Sequence, residues 1–142
     1  MNKSGPIIVI EDDEDDQAFF AEAFGNLHYP NKLLFFADGE SALDFLNGSD
    51  LTPFIILSDI NLPKLDGYAL RDKVRMDAKL QLRCIPYLFF STGLTQDAVI
   101  KAYSLSVQGF FQKQESIGEL EKSIVAIMEY WKRCAAPNNF IS

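Results

Sequence analysis

The sequence is poor in cysteine and histidine, on which disulfide frameworks and many metal or catalytic sites depend. Its two cysteines, Cys84 and Cys134, have no CxxC spacing and no cysteine or histidine cluster near them. Two unpaired thiols in a reducing compartment are therefore expected. The one histidine, His28, is followed by Tyr29 and Pro30. We interpret it as a surface histidine in a loop and not as a catalytic group.

Positive charge and long apolar runs are also scarce. Lys and Arg number 13 against 20 Asp and Glu, and the net charge is −7, whereas a nucleic-acid interface needs clustered basic side chains. No apolar stretch approaches the roughly 18 residues of a membrane span. The segment Met1–Pro6 lacks the apolar core of a signal peptide. We expect a cytoplasmic protein without a nucleic-acid or membrane partner.

The length of 142 residues, with 48% hydrophobic residues, fits one domain with a single sizeable core. No linker, repeat or low-complexity segment interrupts the chain. We predict one domain over residues 1–142, with a core over residues 6–134 and a short tail over residues 135–142. Pro137 follows the last helical pattern and marks the start of this tail.

Short apolar runs alternate with amphipathic segments along the whole chain. Continuous apolar runs of this length predict strands that are buried on both faces of a parallel sheet. The runs are Ile7–Ile10, Leu33–Ala37, Phe54–Leu57, Tyr87–Phe90 and Val107–Phe111.

Helical patterns lie between and after these runs. The last helix is the clearest, with Ser116 as its predicted N-cap and Glu119 as the capping-box partner. Its apolar stripe is Ile117, Leu120, Ile124, Ile127 and Trp131. The other predicted helices carry the faces Ala18, Phe19, Ala23, Phe24 and Leu27, then Ala42, Phe45 and Leu46, and the segments Tyr68–Arg75 and Gln96–Leu105.

Five strand–helix units predict an α/β fold with a five-stranded parallel, doubly wound sheet. The expected strand order is 2-1-3-4-5, as in flavodoxin-like folds, with right-handed crossovers. Ligands of such folds bind at the carboxyl ends of the strands, near the switch point between strands 1 and 3.

Acidic residues follow these two strands. Glu11–Asp16 is an unbroken acidic run directly after Ile10, and the third run ends at Ser58 and Asp59. Several carboxylates at one sheet edge repel one another, and a hard cation such as Mg²⁺ relieves that repulsion. We predict a Mg²⁺ site formed by Glu11, Asp12 and Asp59, with the backbone carbonyl of Asn61 completing it. We interpret Glu14, Asp15 and Asp16 as a solvated helix start, where acidic side chains are favoured.

Two further side chains follow the fourth and fifth strands. Ser91 comes at the end of the fourth strand, and Lys113 comes after Gly109–Gln112. Both are expected beside the acidic pocket. A carboxylate accepts a phosphoryl group when a divalent cation screens the incoming charge. Asp59 is the candidate acceptor, with Ser91 and Lys113 as contacts for the phosphoryl oxygens.

Taken together, these motifs resemble the receiver domains of two-component response regulators, the CheY-like proteins. The residues that carry the resemblance are Ile7–Asp12, Ser58–Gly67, Ile85–Pro86 with Ser91, and Gly109–Lys113. Asp59 with proline at +4 and glycine at +8 matches the phosphoacceptor signature of this family. The similarity covers nearly the whole chain.

The resemblance implies a role for each matching residue. Asp59 corresponds to the aspartate that accepts a phosphoryl group from a histidine kinase or phosphotransfer protein. Asp12 corresponds to a direct Mg²⁺ ligand, and Glu11 to a ligand that acts partly through water. Ser91 and Phe110 correspond to the pair of switch residues, and Lys113 to the lysine on the phosphoryl oxygens.

The segments Leu62–Gly67, Tyr103–Leu105 and Ile127–Trp131 resemble stand-alone receivers linked to phytochrome-type histidine kinases. Some members of that group pair through the fourth helix, fifth strand and fifth helix of the fold. A homodimer through this face and an unknown downstream protein are therefore possible partners.

Three residues depart from the family pattern or extend it. Gln114 stands where the family has proline after the lysine, so a trans bond is expected and the direction of Lys113 is open. Phe110 lacks the hydroxyl of a tyrosine switch, so it would act by packing alone. Asp13 adds a charge at the pocket rim, where it could tighten Mg²⁺ binding or repel a phosphodonor.

The same residues argue against two other functions. An aspartate-nucleophile phosphohydrolase needs a second aspartate two residues after the nucleophile as general acid, and Asn61 cannot deliver a proton. Neither a G-x-x-x-x-G-K-[ST] loop nor a G-x-G-x-x-G turn supports nucleotide binding. We expect no enzyme beyond Mg²⁺-dependent self-phosphorylation and self-dephosphorylation. The alternative is a pseudo-receiver that acts as an interaction module without phosphorylation.

Overall fold

The computed structural model describes residues 1–137 as alternating strands and helices. None of the helices within these residues is long and apolar enough to cross a membrane. The elements in chain order are β1 (Ile7–Ile10), α1 (Glu14–Leu27), β2 (Leu33–Phe36), α2 (Gly39–Gly48), β3 (Ile55–Ser58), α3 (Gly67–Met76), α4 (Ala78–Leu82), β4 (Tyr87–Ser91), α5 (Gln96–Ser104), β5 (Gly109–Gln112) and α6 (Ile117–Arg133).

The five strands form one parallel sheet in the order β2-β1-β3-β4-β5, which confirms the predicted fold. The winding reverses at β1, because β2 lies on one side of it and β3 on the other. Ile10 at the end of β1 is opposite Ser58 at the end of β3. The residues that follow, Glu11 and Asp59, therefore leave the sheet side by side.

Two apolar layers cover the faces of the sheet. One is formed by α1 and α6, whose buried side chains include Phe24 and Ile124 and pack on Ile7 and Val9 of β1. The other is formed by α2, α3, α4 and α5, which pack on Ile8 and the alternate side chains of the strands. This alternation follows from the period of two along a strand. The three-layer arrangement leaves the carboxyl edge of the sheet open for a site.

Several local predictions are wrong. The two edge strands, β2 and β5, are only half-buried, because each has a neighbouring strand on one side alone. On α1 the predicted Ala23 and Phe24 are buried, but the third buried residue is Phe20, and Ala18 is exposed. Ser116 does cap α6 by accepting from the Glu119 N–H at 3.2 Å. The Glu119 carboxylate, however, pairs with Lys122 at 3.2 Å.

A sixth helix, α4, was not predicted. Asp77 ends α3 in an extended conformation and at the same time caps α4, since its side chain accepts from the Leu80 N–H at 2.9 Å. The predicted fourth and fifth helices are therefore α5 and α6. Ala136, placed in the tail by the sequence, is buried in the core beside α6. Residues 138–142 of that tail lie outside the described residues.

Gly67, at position +8 from Asp59, brings two backbone segments into contact. A Cβ atom there would lie 2.3 Å from the Asp59 carbonyl oxygen and 2.7 Å from the Ile60 Cα. The Gly67 N–H also donates to the Ile60 carbonyl at 2.7 Å. The glycine of the signature is thus needed because the start of α3 touches the backbone that carries Asp59.

Replacing Gly67 by alanine is expected to lower the free energy of unfolding by about 2 kcal/mol, because backbone atoms must move to admit the methyl group. Urea unfolding of the variant measures this. Gly25→Ala is the matched control, since a Cβ in that helical position meets nothing within 4 Å. The control is expected to be neutral or stabilising. Equal stabilities of the two variants would contradict the close-approach explanation.

Candidate phosphoacceptor site

Four strand ends converge at the carboxyl edge of the sheet and deliver the predicted side chains. The Asp59 N–H donates to the Ile10 carbonyl at 2.9 Å, and the Lys113 N–H donates to the Ser91 carbonyl at 3.0 Å. These bonds continue the parallel ladders by one residue past β3 and β5. The positions of Asp59 and Lys113 are therefore fixed by the sheet itself.

Glu11, Asp12 and Asp59 form the predicted acidic cluster. One carboxylate oxygen from each lies within 4.8 Å of the others. Glu11 is 2% exposed and Asp59 is 8% exposed, whereas Asp12 is exposed to solvent. The Asp59 Oδ1 accepts from the Ile60 N–H at 2.7 Å, which orients the carboxylate. The cluster is thus closed on the protein side and open beside Asp12.

Lys113 is the cation of the site. Its Nζ donates to the Asp59 Oδ2 at 3.0 Å and to the Asp16 Oδ2 at 2.8 Å, and it also pairs with the Glu11 Oε1. The Lys113–Gln114 peptide bond is trans, as expected. The lysine therefore reaches Asp59 although no proline follows it.

The pKa values of Glu11 and Lys113 depend on each other. Burial raises the pKa of Glu11 to about 7, and the charge on Asp59 adds to the shift, while the hydrogen bond from Lys113 opposes it. Burial alone would lower the pKa of Lys113. Its hydrogen bonds to Asp16, Glu11 and Asp59 outweigh that effect, and the net pKa is raised. Lys113 is consequently an ammonium ion throughout the physiological range.

The structure gives Asp13 a role that the sequence interpretation did not name, and it corrects the interpretation of Asp16. Asp13 is the N-cap of α1, and its Oδ1 accepts from the N–H groups of Asp15 at 2.8 Å and Asp16 at 3.1 Å. Asp16 is not a merely solvated residue of the helix start, because its carboxylate contacts Lys113. Asp16 is the third residue of α1, and nothing in the neighbouring sequence indicates a partner as distant as Lys113.

Ser91 is the last residue of β4, and Phe110 lies on β5, the neighbouring strand. Ser91 is 2% exposed, and its Oγ accepts from the Gly93 N–H at 3.2 Å. Phe110 is half-buried, and its ring lies edge-on to Phe89 at 6.1 Å between centroids. Asn61 is exposed in the loop after β3. All the predicted residues thus come from the same sheet edge or the segments that leave it.

The side chains at this edge fit a divalent cation. The three carboxylates of Glu11, Asp12 and Asp59 are hard oxygen ligands, which suit such an ion. Lys113 supplies one positive charge against these and the carboxylate of Asp16. The remaining negative charge favours a second cation in the cluster.

A parallel sheet in this order, with an acidic cluster and a lysine at its carboxyl edge, defines a receiver-type domain. The family model for the response regulator receiver domain matches residues 7–125. The chain belongs to this family.

Two curated relatives are similar over most of their length. The chain is 30% identical over 129 residues to the probable methanogenesis regulatory protein FilR2 of Methanothrix harundinacea, covering 88% of this chain and 82% of that protein. It is 28% identical over 130 residues to the response regulator Rcp1 of Synechocystis, covering 88% and 87% respectively.

Solved structures agree with this assignment. The phosphorylated cyanobacterial phytochrome response regulator RcpA superposes with a TM-score of 0.82 at 28% identity, covering 93% of this chain and 97% of that one. The Mn²⁺-bound form of Rcp1 superposes with a TM-score of 0.78 at 28% identity, covering 92% and 97%. The predicted resemblance to receivers of phytochrome systems is confirmed.

Proposed function

We propose that this response regulator receiver accepts a phosphoryl group on Asp59 from a histidine kinase or phosphotransfer protein. The observation that carries the proposal is that two carboxylates and an ammonium group surround the Asp59 carboxylate. Asp59 lies in a cluster with Glu11 and Asp12, whose carboxylate oxygens are within 4.8 Å of one another, and its Oδ2 is 3.0 Å from the Lys113 ammonium.

In the proposed transfer, an Asp59 carboxylate oxygen forms a bond to phosphorus and the phosphorus–nitrogen bond of the phosphohistidine breaks. The electron pair of that bond stays on the imidazole nitrogen. Lys113 offsets the charge of the transferred group, as a lysine at a phosphoryl site does. The Ile60 N–H holds the Asp59 Oδ1 at 2.7 Å, so the carboxylate is oriented before the donor arrives.

Mg²⁺ is the proposed cofactor. Glu11, Asp12 and Asp59 would hold it with the backbone carbonyl of Asn61. When bound, the ion supplies charge neutralisation for the transferring phosphoryl group. Self-phosphorylation from small donors and self-dephosphorylation would use the same site.

The output is proposed to be a change of a protein-binding surface. An acyl phosphate adds charge and acceptor oxygens, and Ser91 and Lys113 are the groups proposed to gain contacts with it. Phe110 would follow Ser91 by repacking against Phe89. The affected face comprises α5, β5 and α6, which expose apolar side chains such as Tyr103 and Tyr130. This face would bind a downstream protein or a second copy of the chain.

The test is intact-mass spectrometry after incubation with acetyl phosphate, with Mg²⁺ or with a chelator. We expect one phosphate adduct that requires Mg²⁺. The absence of an adduct with acetyl phosphate and with a phosphorylated phosphotransfer domain would refute the proposal. That outcome would favour the pseudo-receiver, a cytoplasmic interaction module that works without phosphorylation.

Asp12→Asn is expected to weaken Mg²⁺ binding by about tenfold, because an exposed ligand of the cluster loses its charge. Isothermal titration of the metal-free protein measures the affinity. Asp50→Asn is the control, since Asp50 is exposed in the loop before β3. Equal affinities of the two variants would count against Asp12 as a ligand.

A further inference from the structure

The contact between Asp16 and Lys113 joins α1 to the site, although the two residues are 97 positions apart in the chain. Asp13 caps the helix and binds the Asp16 N–H at 3.1 Å, so the backbone of this turn is fixed. The Asp16 Oδ2 lies 2.8 Å from the Lys113 Nζ. Asp16 is therefore held where it can neutralise part of the lysine charge.

An ammonium group has three N–H donors, and Lys113 has three carboxylate partners. While a phosphodonor approaches, Asp59 is still a carboxylate bound to Lys113, so an incoming phosphoryl oxygen competes with these partners for the ammonium group. The Asp16 side chain is 39% exposed, against 2% for Glu11 and 10% for Asp59. Release of a charged group costs least where water solvates it. Asp16 is the partner whose release costs least.

The space beside the pair permits that release. A cavity of about 460 Å³ opens to solvent there and is lined by side chains from α1, β5 and the loops that follow β4 and β5, including Asp16, Thr92, Lys113 and Glu115. A carboxylate that turns away from Lys113 would enter this solvent-open space.

We propose that Asp16 is a positioning residue that holds Lys113 before phosphorylation and exchanges its place for a phosphoryl oxygen. This inference rests on the proposed phosphorylation of Asp59. Asp16 competes with the phosphoryl group for the ammonium ion and so slows uptake from small anionic donors. Release of Asp16 at the start of α1 then accompanies the phosphorylated state.

The first test compares phosphorylation rates with acetyl phosphate and Mg²⁺ by intact-mass spectrometry. Asp16→Asn is expected to react about fivefold faster than the unaltered protein, the effect of a partly exposed ion pair. Asp15→Asn is the matched control, with the same charge change one residue away on an exposed side chain. It is expected to change the rate by less than about twofold, because solvent screens its charge. Asp16→Glu should restore the slow rate.

The second readout is the carboxyl ¹³C NMR signal of Asp16. Phosphorylation is expected to shift it towards the position of a free carboxylate, whereas the Asp15 signal stays in place. Equal rates for the Asp16 and Asp15 variants, a slower Asp16→Asn variant, or an unchanged Asp16 signal would each overturn this inference alone. No adduct on the unaltered protein, in contrast, would overturn the proposed function and this inference with it.

Discussion

Replacing Asp59 by asparagine is expected to abolish phosphate uptake completely. An amide oxygen is a poor nucleophile and cannot form the acyl phosphate. Asparagine keeps an oxygen that can accept from the Ile60 N–H, as the Asp59 Oδ1 does at 2.7 Å, so the fold should persist. Intact-mass spectrometry after treatment with acetyl phosphate and Mg²⁺ measures the adduct, and thermal unfolding checks the fold.

Asp44→Asn serves as the control for this substitution, because Asp44 is an exposed aspartate on α2. It is expected to take up phosphate like the unaltered protein. A phosphate adduct on Asp59→Asn at the normal rate would refute the assignment of the acceptor. Peptide mapping of that adduct would then identify the residue that accepts the group.

Replacing Lys113 by glutamine is expected to destabilise the metal-free protein by about 2–3 kcal/mol. Loss of the ammonium leaves the carboxylates of Glu11, Asp16 and Asp59 without their shared cation, and Glu11 is almost fully buried. Glu11, whose pKa is raised to about 7 even beside Lys113, must then take up a proton or keep an uncompensated buried charge, and either lowers the stability. The expected loss is below that of a fully buried pair, since Asp16 is partly solvated. Urea unfolding in a chelator measures it.

Mg²⁺ is expected to restore most of this stability, because a cation bound in the native state shifts the equilibrium towards folding. Lys122→Gln is the matched control, since Lys122 lies on α6 with 78% of its side chain exposed and pairs only with Glu119 among the described ion pairs. It should cost less than about 1 kcal/mol and show no added response to Mg²⁺. A Lys113 variant that is as stable as this control would contradict the charge balance described for the site.

Most of the fold could be predicted from local patterns. The alternation of apolar runs with helical segments predicted five parallel strands and their order, and the sheet has that order. The short helix α4 was missed because five residues carry little periodicity, and its start depends on the Asp77 side chain. The burial of the edge strands was overestimated because the composition of a strand does not reveal its position in the sheet.

The candidate site was predictable to the same degree and for a similar reason. Glu11, Asp59, Ser91 and Lys113 follow strand ends, and parallel strands place their carboxyl ends at one edge. Their convergence was therefore expected before any distance was known. The direction of Lys113 was not, because Gln114 departs from the family pattern and a loop conformation depends on more than its sequence neighbours.

The acidic run Glu11–Asp16 has some features that the sequence predicts and others that depend on the tertiary structure. Its six members are alike in sequence, and the sequence by itself determined that they follow a buried strand and begin a helix. Only the tertiary structure decided that Asp16 reaches Lys113 from 97 positions away. Strand ends and helix caps arise from neighbours in the chain, which a pattern records. An ion pair between distant residues arises from the packing of α1 against the end of the sheet, which no local pattern contains.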